Sequence, residues 1–79
     1  MSEEKARILE ILEDLRGDID FLEEEALVDD KVLTSFDLVA LVVELNTEFD
    51  IEITSEDFIE ENFNSVDRLE KMVIKLMER

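Results

Sequence analysis

The sequence predicts an all-α domain, a small four-helix bundle with a long first loop and a short third helix, and three observations carry that expectation. Apolar residues recur at intervals of three and four in separate stretches, the spacing that lines one face of a helix. A capping residue followed three positions later by aspartate occurs at Thr34 and Asp37, at Thr54 and Asp57, and at Asn64 and Asp67. No repeat and no proline-rich or serine-rich linker divides the 79 residues, so positions 1–79 read as one domain. A chain of this size buries only about 60–65% of the surface it exposes when unfolded, enough for a core and too little for a deep catalytic cleft.

The first helix is expected over about Ser2 to Arg16, where Ile8, Leu12 and Leu15 share a stripe and Ile11 lies beside it. Gly17, the single glycine, stands where a left-handed C-terminal cap is preferred. Residues 18–34 then form a long connection whose Ile19, Phe21, Leu22, Leu27, Val28 and Leu33 imply anchorage to the core. Connections of this length in compact domains tend to be functional.

TSFDLVALVVELNTEF, residues 34–49, could be taken for a buried strand on its valines alone. Its length and its Thr-x-x-Asp start make it the second helix. Leu38, Leu41, Val42, Leu45 and Phe49 gather on one face, with Asp37, Glu44 and Glu48 as an acidic stripe beside it. Val39 and Val43 fall on the flank away from the core, where burial does not explain them. Thr54 and Asp57 should open a short third helix that carries Phe58 and ends near Asn62. Asn64 and Asp67 should open the fourth, with Val66, Leu69, Met72, Val73 and Leu76 at helical spacing.

Composition excludes much chemistry. Twenty-four acidic residues against eight basic ones give a formal net charge of −16, which disfavours nucleic acid and anionic lipid and favours a basic protein surface. The chain has neither histidine nor cysteine, so it offers no disulfide, no zinc thiolate site and no imidazole base. MSEEKAR is unlike a signal peptide, and the longest apolar run, LVALVV at 38–43, is far shorter than the roughly 20 residues of a membrane span. A soluble, cytoplasmic monomer is expected.

Two chemical readings fail on their residues. Asp18 and Asp20 begin like a calcium loop, but Leu22 takes a ligand position and Glu23 stands where glycine is required. Paired carboxylates carry little information in so acidic a chain, and serine hydrolysis lacks both a base and a G-x-S-x-G turn. No metal site and no catalytic residue are expected. Ser35 is different. A serine ahead of a helix is ordinarily its cap, yet Thr34 already fills that role, leaving the Ser35 hydroxyl at the positive end of the helix, where a phosphate is favoured.

Over nearly its whole length the sequence resembles the acyl carrier protein family. The likeness lies in the acidic first helix, the loop ending in DDKVLTSFD, the apolar second helix closed by EFDIEI, the segment TSEDF and the amphipathic last helix. The family's attachment motif, D-S-L and an acidic or polar residue, is matched here by Thr34, Ser35, Phe36 and Asp37. Thr34 replaces the usual aspartate, Phe36 the leucine, and Ala40 a glutamate five residues after the serine. The G-G-x-S element of peptidyl carriers is absent.

The resemblance implies that Ser35 bears 4′-phosphopantetheine, installed from coenzyme A by a phosphopantetheinyl transferase. The arm would carry a thioester-linked acyl or aminoacyl group in fatty-acid, polyketide or related biosynthesis. On that reading Asp37, Glu44, Glu48, Glu56 and Asp57, with Val39 and Val43 as apolar contacts, form the surface that meets basic patches on acyl-transfer or synthase enzymes. The alternative is an acidic helical adaptor of carrier-like fold that binds a basic protein without a prosthetic group.

Overall fold

Residues 2–78 are described by a computed structural model in which four helices share one core. The first, α1 (Glu3–Leu15), starts at Ser2, whose hydroxyl accepts the Lys5 N–H at 3.1 Å. Glu3 and Glu4 occupy its first turn, at the positive end of the helix dipole. Ile8, Ile11 and Leu12 are buried and Leu15 packs at the margin, as the periodicity requires.

The end of α1 differs from expectation. Gly17 is not left-handed; the helix stops because Arg16 turns into extended backbone at φ −144°, its N–H still bonded to the Leu12 carbonyl. The residue that leaves the helix is therefore the arginine, and its side chain is drawn towards Asp18 and Asp37.

The connection to α2 (Ser35–Phe49) is pinned by Phe21, Leu27 and Leu33, all buried. It is also gripped from outside. Asn64 Oδ1 accepts the N–H groups of Val28 (3.0 Å) and Asp29 (3.1 Å), and its Nδ2 donates to Asp29. The Leu27 N–H reaches the Asn64 carbonyl at 2.8 Å. Leu41 and Leu45 bury the centre of α2, with Leu38, Val42 and Phe49 partly covered. The helix ends at Asp50, a left-handed C-cap at φ 52°, and Asn46 Oδ1 then accepts the Ile53 N–H, folding the following linker back along α2.

Thr54 and Asp57 do not start a helix. They close a single turn, in which Asp57 Oδ2 accepts both the N–H and the hydroxyl of Thr54. The turn does not propagate because the Asp57 carbonyl is taken by the Ile59 N–H and by Asn62 Nδ2, leaving it nothing to offer a helical ladder. The third helix, α3 (Glu60–Phe63), begins later, has four residues and carries no side-chain cap at Ile59.

Ser65, not Asn64, caps α4 (Val66–Met77), its hydroxyl accepting the Arg68 N–H at 3.2 Å. Asn64 is spent on the long connection instead. Val66, Leu69, Met72, Val73 and Leu76 are all buried. Packing runs α1 against α2 and α4, α3 against α4, and α2 more lightly against α4, in a body of 32 × 27 × 18 Å. Among the described residues no helix is long and apolar enough to cross a membrane.

Candidate functional site

The start of α2 is held by reciprocal bonds that leave one hydroxyl over. Thr34 Oγ1 accepts the Asp37 N–H at 3.1 Å, and Asp37 Oδ2 accepts the Thr34 N–H at 3.0 Å, which completes a capping box. Ser35 is the first helical residue, exposed, and its hydroxyl has no hydrogen-bond partner among the described residues. The N–H groups of Ser35 and Phe36 are likewise unpaired among those residues, as the first donors of a helix are. A phosphate ester on Ser35 Oγ fits this setting: the oxygen faces solvent, and free amide donors at the positive helix end lie beside it.

Because Thr34 and not Ser35 is the cap, Thr34→Ala should cost about 1 kcal/mol by leaving the Asp37 N–H without its partner. Urea unfolding of the two alanine variants checks the division. A larger loss for Ser35→Ala would make Ser35 the cap.

Asp37 is not a free docking charge. Its side chain is only 13% exposed, and besides Thr34 it accepts Arg16 Nη1 at 3.0 Å. The Thr34 backbone N–H lowers its pKa most, burial works against this, and the Arg16 guanidinium lowers it further. A carboxyl whose folded pKa lies below its unfolded one stabilises the fold above the unfolded value, about 3.9 for aspartate, and loses that contribution as pH falls through the folded value. Asp37→Asn should therefore be less stable than the parent by a constant margin between pH 7 and 5. That margin should shrink below about pH 4. Urea midpoints at pH 7, 5 and 3 decide it, and a margin that persists at pH 3 would show that the charge of Asp37 is immaterial.

The other expected contacts divide. Val39 (62% exposed) and Val43 (57%) stand out from α2 with Glu44 and Glu48, as the helical spacing requires, and Phe36 (82%) extends the apolar row towards Ser35. Glu48 is engaged by Arg7 of α1 at 2.9 Å. Glu56 is exposed on the turn after the linker. Asp57 is the correction: it is 9% exposed and bonded to Thr54, so it builds the turn and is not presented to a partner. Beside the row, Val39, Val42, Val43, Ile53 and Phe58 line an open groove of about 280 Å³.

The D-alanyl carrier protein of Streptococcus sanguinis is 34% identical to this chain over 73 residues, which cover 91% of the chain and 92% of that protein. The chain belongs to the acyl carrier protein family. The D-alanyl carrier proteins of Streptococcus suis (35% over 74 residues, 92% of this chain and 94% of that protein) and Streptococcus thermophilus (33% over 73 residues, 91% and 92%) agree with it. No family model matches the chain, and no solved structure matches it. A carrier protein is a shuttle and not a catalyst, and the all-helical bundle is the architecture expected of one.

Arg16 is the residue at this site that sequence reasoning missed. Its guanidinium joins the end of α1 to the start of α2, a contact across 21 positions that periodicity does not register. One signal was legible: Arg16 is the only basic residue between Arg7 and Lys31, with aspartate two places on.

Proposed function

We propose that this carrier bears 4′-phosphopantetheine on Ser35 and passes a small aminoacyl group, D-alanine or one similar, between partner enzymes in the cytoplasm. The observation that carries the reading is the exposed Ser35 hydroxyl, left unbonded at a helix start whose cap is supplied by its neighbour. Of the acyl or aminoacyl cargo that the resemblance implied, the relatives' names support the aminoacyl kind and not fatty-acid or polyketide synthesis. When bound, the arm supplies the thiol that this cysteine-free chain lacks. The chain's own residues do the rest: Thr34 and Asp37 fix the helix start, and Leu41 and Leu45 fix the helix on the core.

Phe36, Val39 and Val43, flanked by Glu44 and Glu48 and joined by the exposed Glu56 of the turn after the linker, form the surface on which partners with basic patches dock. From Val32 to Asp67 the chain has no basic residue, and the Arg7 guanidinium that reaches this face is paired with Glu48, so the acidic charge outweighs it for an approaching cation. Charge of this kind raises encounter rates more than it tightens complexes, which suits brief docking. Reversing both charges in Glu44→Lys/Glu48→Lys should slow arm installation by roughly ten-fold or more at low salt and much less at high salt, where screening already weakens the attraction. Equal rates for variant and parent at low salt would move docking off this face.

Intact mass after incubation with coenzyme A and a broad-specificity phosphopantetheinyl transferase tests the reading itself. One phosphopantetheine per chain is expected. A parent protein that gains no mass would overturn it.

A further inference from the structure

Arg16 belongs to the end of α1, yet its side chain serves the start of α2. Nε and Nη2 donate to the two carboxylate oxygens of Asp18, each at 3.1 Å. Nη1 donates to Asp37 Oδ2 at 3.0 Å and, more weakly, to the Val32 carbonyl at 3.4 Å. Val32 lies three residues before Ser35 and Asp37 two residues after it, so one guanidinium holds the chain on both sides of that serine. The fork shape of arginine makes this possible, because different edges of the same rigid plane donate to different partners.

Capping alone does not require the arrangement. The Thr34 N–H and hydroxyl already complete the box with Asp37, and the exposed pair with Asp18 is of a kind that adds little to stability. What Arg16 adds is restraint. It fixes the Asp37 carboxylate that receives the Thr34 N–H, and it ties the incoming strand of the connection to the same point on α1. Ser35 itself is exposed and makes no side-chain bond that would orient it, so its direction is set by these flanking groups.

We propose that Arg16 is a positioning residue for the modification of Ser35: it clamps the attachment turn between Val32 and Asp37 so that the hydroxyl is presented in one orientation. The inference rests on the carrier reading of Ser35. In the transfer, Ser35 Oγ bonds to the pantetheine-side phosphorus of coenzyme A, and the phosphorus–oxygen bond to the nucleotide breaks. Adenosine 3′,5′-bisphosphate leaves, and the hydroxyl proton passes to a base on the transferase. A nucleophile that must attack in line at phosphorus is sensitive to small misplacement, on the order of a hundred-fold in rate for about 1 Å.

The test measures steady-state arm installation by a broad-specificity transferase on the parent, Arg16→Ala, Arg16→Lys and Lys5→Ala, well below every melting temperature. Lys5→Ala breaks the 2.6 Å bridge to Asp67 between α1 and α4, and so controls for losing an ion pair away from Ser35. Arg16→Ala should lower kcat by about ten-fold or more with KM little changed. Arg16→Lys should recover only part of the loss, and Lys5→Ala should match the parent. Amide exchange at Thr34 and Asp37, whose N–H groups are bonded in the capping box, should quicken in Arg16→Ala while exchange at Leu41 and Leu45 holds. A loss confined to KM would mean that Arg16 touches the transferase and positions nothing, which overturns the proposal. A fully modified parent with an equally fast Arg16→Ala overturns the positioning role alone. A parent that takes no arm overturns the carrier reading and this inference together.

Discussion

Ser35→Ala is expected to fold as the parent does and to accept no phosphopantetheine under conditions that modify the parent completely. The side chain lost is exposed and makes no bond, and alanine is readily accommodated in a helix. Removing it therefore deletes a nucleophile without disturbing the helix that displays it. The effect on modification is all or none, because no other hydroxyl shares its setting. Ser2 and Ser65 are spent as caps, Thr34 and Thr54 are held in their turns, and the Thr47 hydroxyl donates to the Val43 carbonyl. Ser55 is exposed too, but it lies in a turn that starts no helix. Mass spectrometry of the intact variant decides the matter, and any phosphopantetheine on it would displace the assignment from Ser35.

Phe63→Ala should produce the largest loss of stability, about 3–5 kcal/mol for truncating a buried phenylalanine. The four residues of α3 cannot form a helix on their own propensity, since even 12-residue helices are marginal in water. They have no side-chain cap either. What holds them is Phe63, 1% exposed, whose ring meets that of Phe58 edge to face with centroids 5.1 Å apart. Beside the pair lies a narrow space of about 80 Å³ bounded by Val28, Leu38 and Ile59, so the vacated volume would join an existing gap and leave it difficult to close. Against a total of about 5–15 kcal/mol for a small domain, the loss is severe. Urea unfolding gives the magnitude, and amide exchange should show residues 59–63 opening first. A loss under about 1 kcal/mol would mean that Asn62 and Asn64, not the ring, hold this corner.

Three of the helices were legible in the sequence because their signals are local and mutually consistent. In α4 the five expected core positions are the five that are buried, and in α2 the Thr34 and Asp37 pair forms the box that its spacing announces. The failures share a cause. Asn64, Asp57 and Gly17 each carry a residue type suited to a helix end, but a partner distant in sequence or a competing local bond claims the group. Asn64 is taken by Val28 and Asp29, 36 and 35 positions away. The Asp57 carbonyl is taken by Ile59 and Asn62, which stops the turn from growing. Gly17 is overtaken because Arg16 leaves the helix one residue earlier to reach Asp37. At the candidate site, Ser35, Val39, Val43 and Glu44 could be placed on exposed positions from periodicity alone. Asp57 could not, since a carboxylate in a turn is exposed or buried according to what folds over it.

The long connection has a mechanical consequence. Phe21, Leu27 and Leu33 enter the core at intervals of six, Asn64 grips the backbone at 28 and 29, and Arg16 holds Val32, so the widest span held only by bonds within the connection is 22–26. Closing a few short loops restricts a chain far more than closing one long one, because each fastening removes freedom from its own neighbours. The segment that leads to Ser35 is thus a post and not a boom. A group mounted there sweeps only the radius of its own length about a fixed pivot, and any larger excursion has to come from the tumbling of the whole body.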